Sequence, residues 1–256
     1  MKNLRIFFVL IIPFLASGQE LSAVSTKTAI LNDAKYREIG LFQPFRFALS
    51  DNLEFATHPV LFFILPNLQI KKNYRMTPAL NIASQHHLCY PTPLLKMLAR
   101  EGTGGIIAAE FKKNIPNMFS LYNGILVSRE ISARHLVTLK TGIKLGLNAG
   151  SLDSRTSIDL PVVFQRMAVF YEGFGLQYGV NIITRIQQKI FSDATVELFH
   201  FPGAEENLAL EYSQLYSWLR NDRFQLSGGF KVVWGEYPFG KQTHLLPLFD
   251  IKWKFQ

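Results

Sequence analysis

The stretch Thr243–Phe255, with the sequence THLLPLFDIKWKF, alternates between apolar and polar side chains. One parity is apolar throughout: Leu245, Pro247, Phe249, Ile251, Trp253 and Phe255. The other parity carries His244, Asp250, Lys252 and Lys254. Because successive side chains of a strand point to opposite faces, the segment predicts a β-strand with one apolar face and one charged face.

Segments with the same alternation recur upstream, and they are long. They cover residues 134–148, 174–186, 206–218 and 224–234. Ordinary strands peak at about 5–6 residues, whereas a tilted strand needs about 9–11 residues to cross a bilayer. Length therefore favours a membrane barrel. Alternation alone does not say which parity faces outward, so a soluble barrel with an apolar interior remains an alternative.

The first half of the chain is less regular. Residues 39–49 and 53–65 flank a turn at Ser50-Asp51-Asn52, and Pro59–Leu65 is apolar on both parities, which predicts burial on both sides. Weaker strand candidates lie at 67–76, 79–89 and 118–127, and long loops are expected near 90–117 and 149–161. The expected fold class is all-β: a transmembrane antiparallel up-and-down β-barrel of about 10–12 strands, preceded by a cleaved signal peptide.

The first eighteen residues have the features of a secretory signal peptide. Lys2 and Arg5 form a positive start, Ile6–Leu15 is apolar, and Ala16-Ser17-Gly18 is a small-residue cleavage site. The apolar run falls short of the roughly 20 residues that a spanning helix needs. We therefore expect 1–18 to be removed, 19–38 to form an N-terminal segment that could include a first strand, and 39–256 to form the barrel.

Composition narrows the function. The chain is 48% hydrophobic and 18% charged, with a formal net charge of +8. Its lysines and arginines are spread along strand patterns, so no nucleic-acid partner is expected. Cys89 is the single cysteine, which rules out an internal disulfide framework.

The closing segment, Phe249-Asp250-Ile251-Lys252-Trp253-Lys254-Phe255, resembles the C-terminal signal of Gram-negative outer-membrane β-barrels, although Gln256 follows the final aromatic residue. The start at Gln19 is similar to that of exported Bacteroidota proteins. Residues 28–31, followed by 47–55, are similar to a pattern in uncharacterised and transport-related barrel families, with Phe47 and Ala48 in place of its tyrosine and glycine. The resemblance implies location in the cell outer membrane, contact with outer-membrane lipid and recognition of the C-terminal strand by the barrel assembly machinery.

If the apolar parity faces lipid, the polar parity lines the lumen. The predicted lumen-lining residues are Arg46, Glu54, Arg134, Lys140, Lys144, Arg185, Glu211, Lys231, Asp250 and Lys252. Basic residues outnumber acidic ones in this set, which favours passage of anions over cations. The alternative is that paired charges fill the barrel, which then conducts nothing and is purely structural.

Aromatic residues fall near the ends of the predicted strands. Membrane barrels carry aromatic girdles at both water interfaces. The predicted girdle residues are Phe174, Tyr216, Trp218, Phe224, Trp234, Trp253 and Phe255.

No catalytic, cofactor-binding or metal site is predicted. None of the six histidines precedes a serine by two residues, and the sequence contains no Gly-x-Ser-x-Gly elbow. His87 and Cys89 share a strand parity, but two ligands fall short of the usual three or four. A catalytic triad assembled from separate strands is not visible at this level.

The sequence therefore predicts a small porin-like channel with an anion-leaning lumen, or a structural membrane barrel. One alternative is a soluble exported β-barrel that binds a lipid or a protein. The other is an outer-membrane lipid-modifying enzyme, such as a hydrolase or acyltransferase.

Overall fold

A computed structural model describes residues 21–31, 36–59, 61–74, 77, 80–153, 156, 167–203, 208–237 and 240–255. Within these residues the chain forms a closed barrel of twelve strands. Each strand pairs with its neighbours in sequence, every pairing is antiparallel, and the first strand closes the barrel against the last. The predicted fold class is confirmed. The predicted signal peptide, 1–18, lies outside the described residues.

The strands are β1 (Arg37–Gly40), β2 (Phe45–Ser50), β3 (Leu53–Thr57), β4 (Asn67–Asn73), β5 (Leu80–Cys89), β6 (Met118–Ser132), β7 (His135–Asn148), β8 (Phe174–Gln187), β9 (Ile190–His200), β10 (Leu208–Asn221), β11 (Phe224–Tyr237) and β12 (Gly240–Phe255). The helices are α1 (Thr92–Leu98), a 3₁₀ helix (Ala109–Asn114) and α2 (Val169–Glu172). No helix in the described part of the chain is both long and apolar enough to cross a membrane.

The two ends of the barrel differ. The connections after β2, β4, β6, β8 and β10 are short, and they share one end, here called the turn end, with the C-terminus of β12. In the turn after β10, Asn221 Oδ1 accepts hydrogen bonds from the backbone N–H groups of Arg223 and Phe224, which is ordinary Asn turn chemistry. The opposite end, here called the loop end, carries the connections 90–117 and 149–173.

The apolar parity faces outward. Leu245 is 70% exposed and Val180 is 40% exposed, whereas Lys252, on the opposite parity of β12, is 2% exposed. An apolar outer surface around a polar interior is the arrangement of a membrane barrel and the reverse of a soluble one. The alternative of a soluble exported barrel is therefore wrong.

The prediction that Pro59–Leu65 continues a strand is also wrong. β3 ends at Thr57, and the described residues 61–64 form a turn. Pro59 and Pro66 lack the N–H that a ladder needs, so this segment leaves the sheet. Its apolar side chains divide between two environments: Leu65 is buried, and Phe63 is 87% exposed.

The loop end carries a small folded cap, here defined as α1, the 3₁₀ helix, α2 and the described loop residues around them. Its apolar cluster includes Leu95, Phe111, Ile115, Met118, Val169 and Phe170. Thr92 ties the cap to the barrel, because its Oγ1 donates to the Pro116 carbonyl at 2.9 Å and accepts from the Met118 N–H at 2.9 Å. The region 90–117, expected to be a long loop with a short helix over 93–100, contains the helix Thr92–Leu98 and is ordered around an apolar core.

Candidate functional site in the lumen

A buried ion-pair network lies on the inner wall at the turn end. Arg46 donates two hydrogen bonds to Glu54, from Nε at 2.9 Å and from Nη2 at 2.6 Å, and one from Nη1 to Glu38 at 2.5 Å. Lys252 Nζ lies 3.5 Å from Glu38, and Lys71 Nζ lies 4.0 Å from Glu54. Two carboxylates thus offset three cations, and Arg46 makes the planar two-bond contact that suits a guanidinium and a carboxylate.

Further ion pairs lie nearer the middle of the barrel. Lys140 Nζ donates to Glu197 at 2.9 Å, and Gln177 Nε2 donates to the same carboxylate at 2.9 Å. Lys231 Nζ lies 2.5 Å from Glu211. The lumen is therefore both basic and acidic, and less one-sided than the sequence pattern suggested.

Four inward acids, Glu38, Glu130, Asp193 and Glu197, were absent from the predicted lining. Glu38 lies in β1, which has only 4 residues, too few to display an alternating pattern. Asp193 and Glu197 lie in β9, where the inward parity begins and ends with Phe191 and Phe199 and so disguises the alternation. Polar residues at every second position between those two aromatic residues, namely Asp193, Thr195 and Glu197, were the available signal.

Residues 21–31 lie inside the barrel at the turn end and are here called the N-terminal plug. Wall side chains hold its backbone: Lys71 Nζ donates to the carbonyls of Thr26 and Thr28 at 2.8 and 3.0 Å, and Lys252 Nζ donates to the Ala23 carbonyl at 2.9 Å. The described part of the predicted segment 19–38 forms strand only from Arg37 onward.

Apolar contacts and a side-chain anchor complete the docking of the plug. Leu21 and Val24 pack with Leu136, Ile183 and Phe191, apolar residues on the inner wall. Lys27 reaches across the lumen, where its Nζ donates to Thr195 Oγ1 at 2.8 Å and to Ser213 Oγ at 3.2 Å. The plug thus complements the wall in both polarity and shape.

Above the plug lies a cavity of about 400 Å³. Its floor is formed by the plug residues 24–27, and strands on all sides contribute polar side chains. The charged groups among its described lining residues are Lys27, Lys140, Lys144, Lys231, Asp193 and Asp250. The cavity therefore presents more lysines than carboxylates, together with amide and hydroxyl groups such as Gln85 and Tyr122.

The structure separates the predicted lumen-lining residues into groups. Six are buried on the inner wall: Arg46, Glu54, Glu211, Lys231, Asp250 and Lys252. Lys140 and Lys144 are half-buried and face the cavity, and Arg185 lies 5.7 Å from the ring of Phe191. Arg134 is a correction, because it is exposed in the turn between β6 and β7, where the strand alternation used to place it no longer applies.

The predicted girdle residues lie toward both ends of the barrel. Trp218, Phe224, Trp253 and Phe255 lie near the turn end, where Phe224 and Trp253 pack edge to face at 5.2 Å. Phe174 and Trp234 lie toward the loop end. Tyr216 is set further into β10 than Trp218.

Three histidine side chains pair with amides or a hydroxyl. The ring nitrogens of His86, His135 and His244 contact Asn123, Thr184 and Gln242 at 2.7, 3.0 and 2.9 Å. His87 lines the cavity. Among the described residues no group of three or more His, Cys, Asp or Glu side chains could hold a metal ion.

No protein-family model and no curated protein matches this chain. Solved barrels do. An outer membrane channel from Pseudomonas putida F1 has a TM-score of 0.48 at 9% identity, over 86% of this chain and 93% of that one. The KdgM porin in complex with disordered oligogalacturonate has a TM-score of 0.47 at 6% identity, over 86% and 96%. The CymD monoaromatic hydrocarbon channel has a TM-score of 0.43 at 9% identity, over 86% and 73%. These similarities concern the barrel fold alone, which the strand register establishes independently.

Proposed function

We propose that this protein is a porin-like channel of the outer membrane, with a lumen that leans toward anions and is closed at rest by the N-terminal plug. One observation carries the proposal: a polar cavity of about 400 Å³ lies inside a barrel whose outer face is apolar. A barrel that served only as a structural element would have no need of a polar void at its centre. No catalytic step is part of this proposal.

The way in which the plug is held supports a gate. Its polar contacts to Lys71, Lys252 and Asn73 are made through backbone carbonyls, and water can replace each of these bonds when the segment leaves. Its apolar contact rests on a few side chains, chiefly Leu21 and Val24 with Ile30 packed against them. Departure of the plug leaves Lys71 and Lys252 facing the pore, which strengthens the preference for anions.

The location follows from the outer surface and the chain ends. The outward apolar side chains contact lipid, and the short turns would face the periplasm, as in bacterial barrels. We further propose that the assembly machinery engages β12, which carries the aromatic residues Trp253 and Phe255 at its end. The signal peptide expected at 1–18 would export the chain.

Planar-bilayer recording tests the channel. The matched samples are the chain without its signal peptide and a variant that also lacks residues 21–31, each checked for heat-modifiable gel migration. We expect small or rare openings for the first, and large, steady, anion-selective conductance for the second. Lys189→Gln, in an exposed turn at the same end, is the control and should conduct like the unmodified chain.

Two results would contradict the proposal. A folded plug-deleted barrel without conductance would leave only the structural-barrel alternative. Cation preference in the same variant would refute the proposed anion preference but not the proposed channel.

A further inference from the structure

The barrel wall is low on one side. β1, β2, β3 and β4 have 4, 6, 5 and 7 residues, whereas β12 has 16. A tilted strand needs about 9–11 residues to cross the hydrocarbon layer. These four strands therefore do not reach from one face of the membrane to the other.

The short strands lie at the turn end, so the part of the wall that they do not reach is toward the loop end. β1 pairs with the last part of β12, from Arg37 opposite Phe255 to Gly40 opposite Lys252. Above that point the contacts between the β1–β2 loop and β12 include the Leu41 N–H bonded to the Ile251 carbonyl at 3.1 Å and the Phe42 N–H bonded to Asp250 Oδ1 at 2.9 Å. From Gly240 to Leu248, the described residues place no strand beside this edge of β12. The wall thus has a side opening, bounded by β12 and by the loops 41–44 and 58–66.

Apolar rings line the rim of this opening. Phe42 and Phe249 meet edge to face with their centroids 5.0 Å apart, and both are substantially exposed on the outer surface. Phe62 and Phe63, in the neighbouring loop, are exposed as well. Lipid chains would contact these residues, so the rim offers no polar barrier to an acyl chain that passes from the bilayer toward the lumen.

The cavity reaches the opening from inside. Its lining includes Phe42, Gln43 and Pro44 from the β1–β2 loop and Leu248, Phe249 and Asp250 from β12. The plug forms its floor, and the cap lies at the loop end. Its size of about 400 Å³ falls within the range of about 300–1,000 Å³ that is usual for sites of small ligands.

The charge of the lining selects one kind of head group. Lys140 and Lys231 pair with Glu197 and Glu211, and Lys27 and Lys144 add positive charge to the cavity lining, against two aspartates. Asp250 is already engaged by the Phe42 N–H, and Asp193 accepts a hydrogen bond from Asn181. An acidic head can therefore take a charge-assisted bond from a lysine, while a cationic head would meet like charge.

We propose that the side opening is a binding site for a single-chain acidic amphiphile that enters from the membrane. The head lies against Lys140 and Lys144, and the chain passes over the paired rings of Phe42 and Phe249 to the bilayer. This site depends on the barrel standing in a membrane and does not depend on conduction through its axis.

The test is equilibrium binding of a dansyl-labelled undecanoate to the folded protein in zwitterionic nanodiscs, with dodecanoate and dodecanol as competitors. We expect saturable binding that dodecanoate displaces at least tenfold more effectively than dodecanol. Phe249→Ala and Lys144→Gln should each weaken binding about tenfold. The matched controls are Leu139→Ala, which is lipid-facing on a distant strand, and Lys189→Gln in an exposed turn.

Each other result overturns the proposal. Absence of saturable binding, or equal affinity for all four variants, would show only partition into the bilayer. Equal competition by dodecanol would show that the site does not require an acidic head group. Heat-modifiable migration confirms folding of each variant, and Phe249 is exposed enough for its truncation to leave the barrel intact. Binding and conductance are measured separately. Saturable binding without conductance would therefore refute the proposed channel function and still support this binding site.

Discussion

Lys71→Met should release the N-terminal plug. Lys71 is fully buried, and its Nζ donates to the carbonyls of Thr26 and Thr28 at 2.8 and 3.0 Å. Methionine fills similar space without a donor, so both carbonyls lose their partner when the plug is docked. The carboxylate of Glu54 keeps its two bonds from Arg46, so the ion-pair network remains largely in place.

The magnitude follows from the two lost bonds. A hydrogen bond to a charged group contributes about 1.5–3 kcal/mol. We take the lower figure for each because removal of a buried ammonium also removes its desolvation cost. The docked state then loses about 3 kcal/mol of stability. Because each 1.36 kcal/mol changes an equilibrium constant about tenfold, the undocked population should rise about 150-fold.

Thiol labelling measures that population. Thr28→Cys in a Cys89→Ala background places a single thiol at a fully buried plug position, and a membrane-impermeant maleimide reacts with it when the plug is undocked. When docking is fast relative to labelling, the rate is proportional to the undocked fraction. Lys72→Met is the matched control, because Lys72 is the next residue of β4 and is exposed on the opposite face.

The reasoning fails if Lys71→Met labels at the same rate as Lys72→Met. That outcome would mean that the two carbonyl contacts of Lys71 do not hold the plug and that its apolar contacts and its bonds to Lys252, Asn73 and Thr195 suffice. Rapid labelling in both variants and in the parent would mean that the plug is undocked in the membrane.

The other predictions concern the wall, the outer face and the cap. Arg46→Leu leaves two buried carboxylates without their main partner and should lower the unfolding free energy by about 3–5 kcal/mol in urea titrations in lipid vesicles. Arg134→Leu, in the exposed turn, should change it by no more than about 0.5 kcal/mol, and equal effects would contradict the burial of the network. Val180→Arg places a charge at the centre of the lipid-facing parity of β8 and should cost about 2–4 kcal/mol in the same titration; a cost near zero would mean that hydrocarbon does not contact this position. Gly146→Ala puts a Cβ against the backbone carbonyl of Val169, so the cap should shift and limited proteolysis of the loop end should become faster, whereas an unchanged rate would contradict the packing of α2 on β7.

The prediction of strands succeeded where the pattern is local. The polarity of each residue matches the face on which it lies in β7, β8, β10, β11 and β12. Alternation and length therefore suffice to identify these membrane strands. In β1 to β4 the strands are too short for a period to show, and the apolar run after Thr57 reads like a strand although its prolines exclude it from the ladder.

The candidate site divides in the same way. The inward position of Lys140, Lys231 and Lys252 follows from strand parity. Their partners do not, because Lys140 meets Glu197 from a strand 57 residues away in sequence. An ion pair between strands leaves no periodic trace in either segment, and so the lining seemed more basic than it is.

The sequence by itself determined the long strands with one apolar and one polar face, because the polarity of each side chain follows the two-residue repeat of a strand. Only the tertiary structure decided that the apolar parity faces outward, that residues 21–31 lie inside the barrel, and that no described strand pairs with Gly240–Leu248 on the β1 side of β12. All three depend on contacts between distant parts of the chain, such as that of Lys252 with the Ala23 carbonyl, which are separated by 229 residues. No local pattern encodes such a contact, since it forms only after the barrel has closed around the segment that it holds.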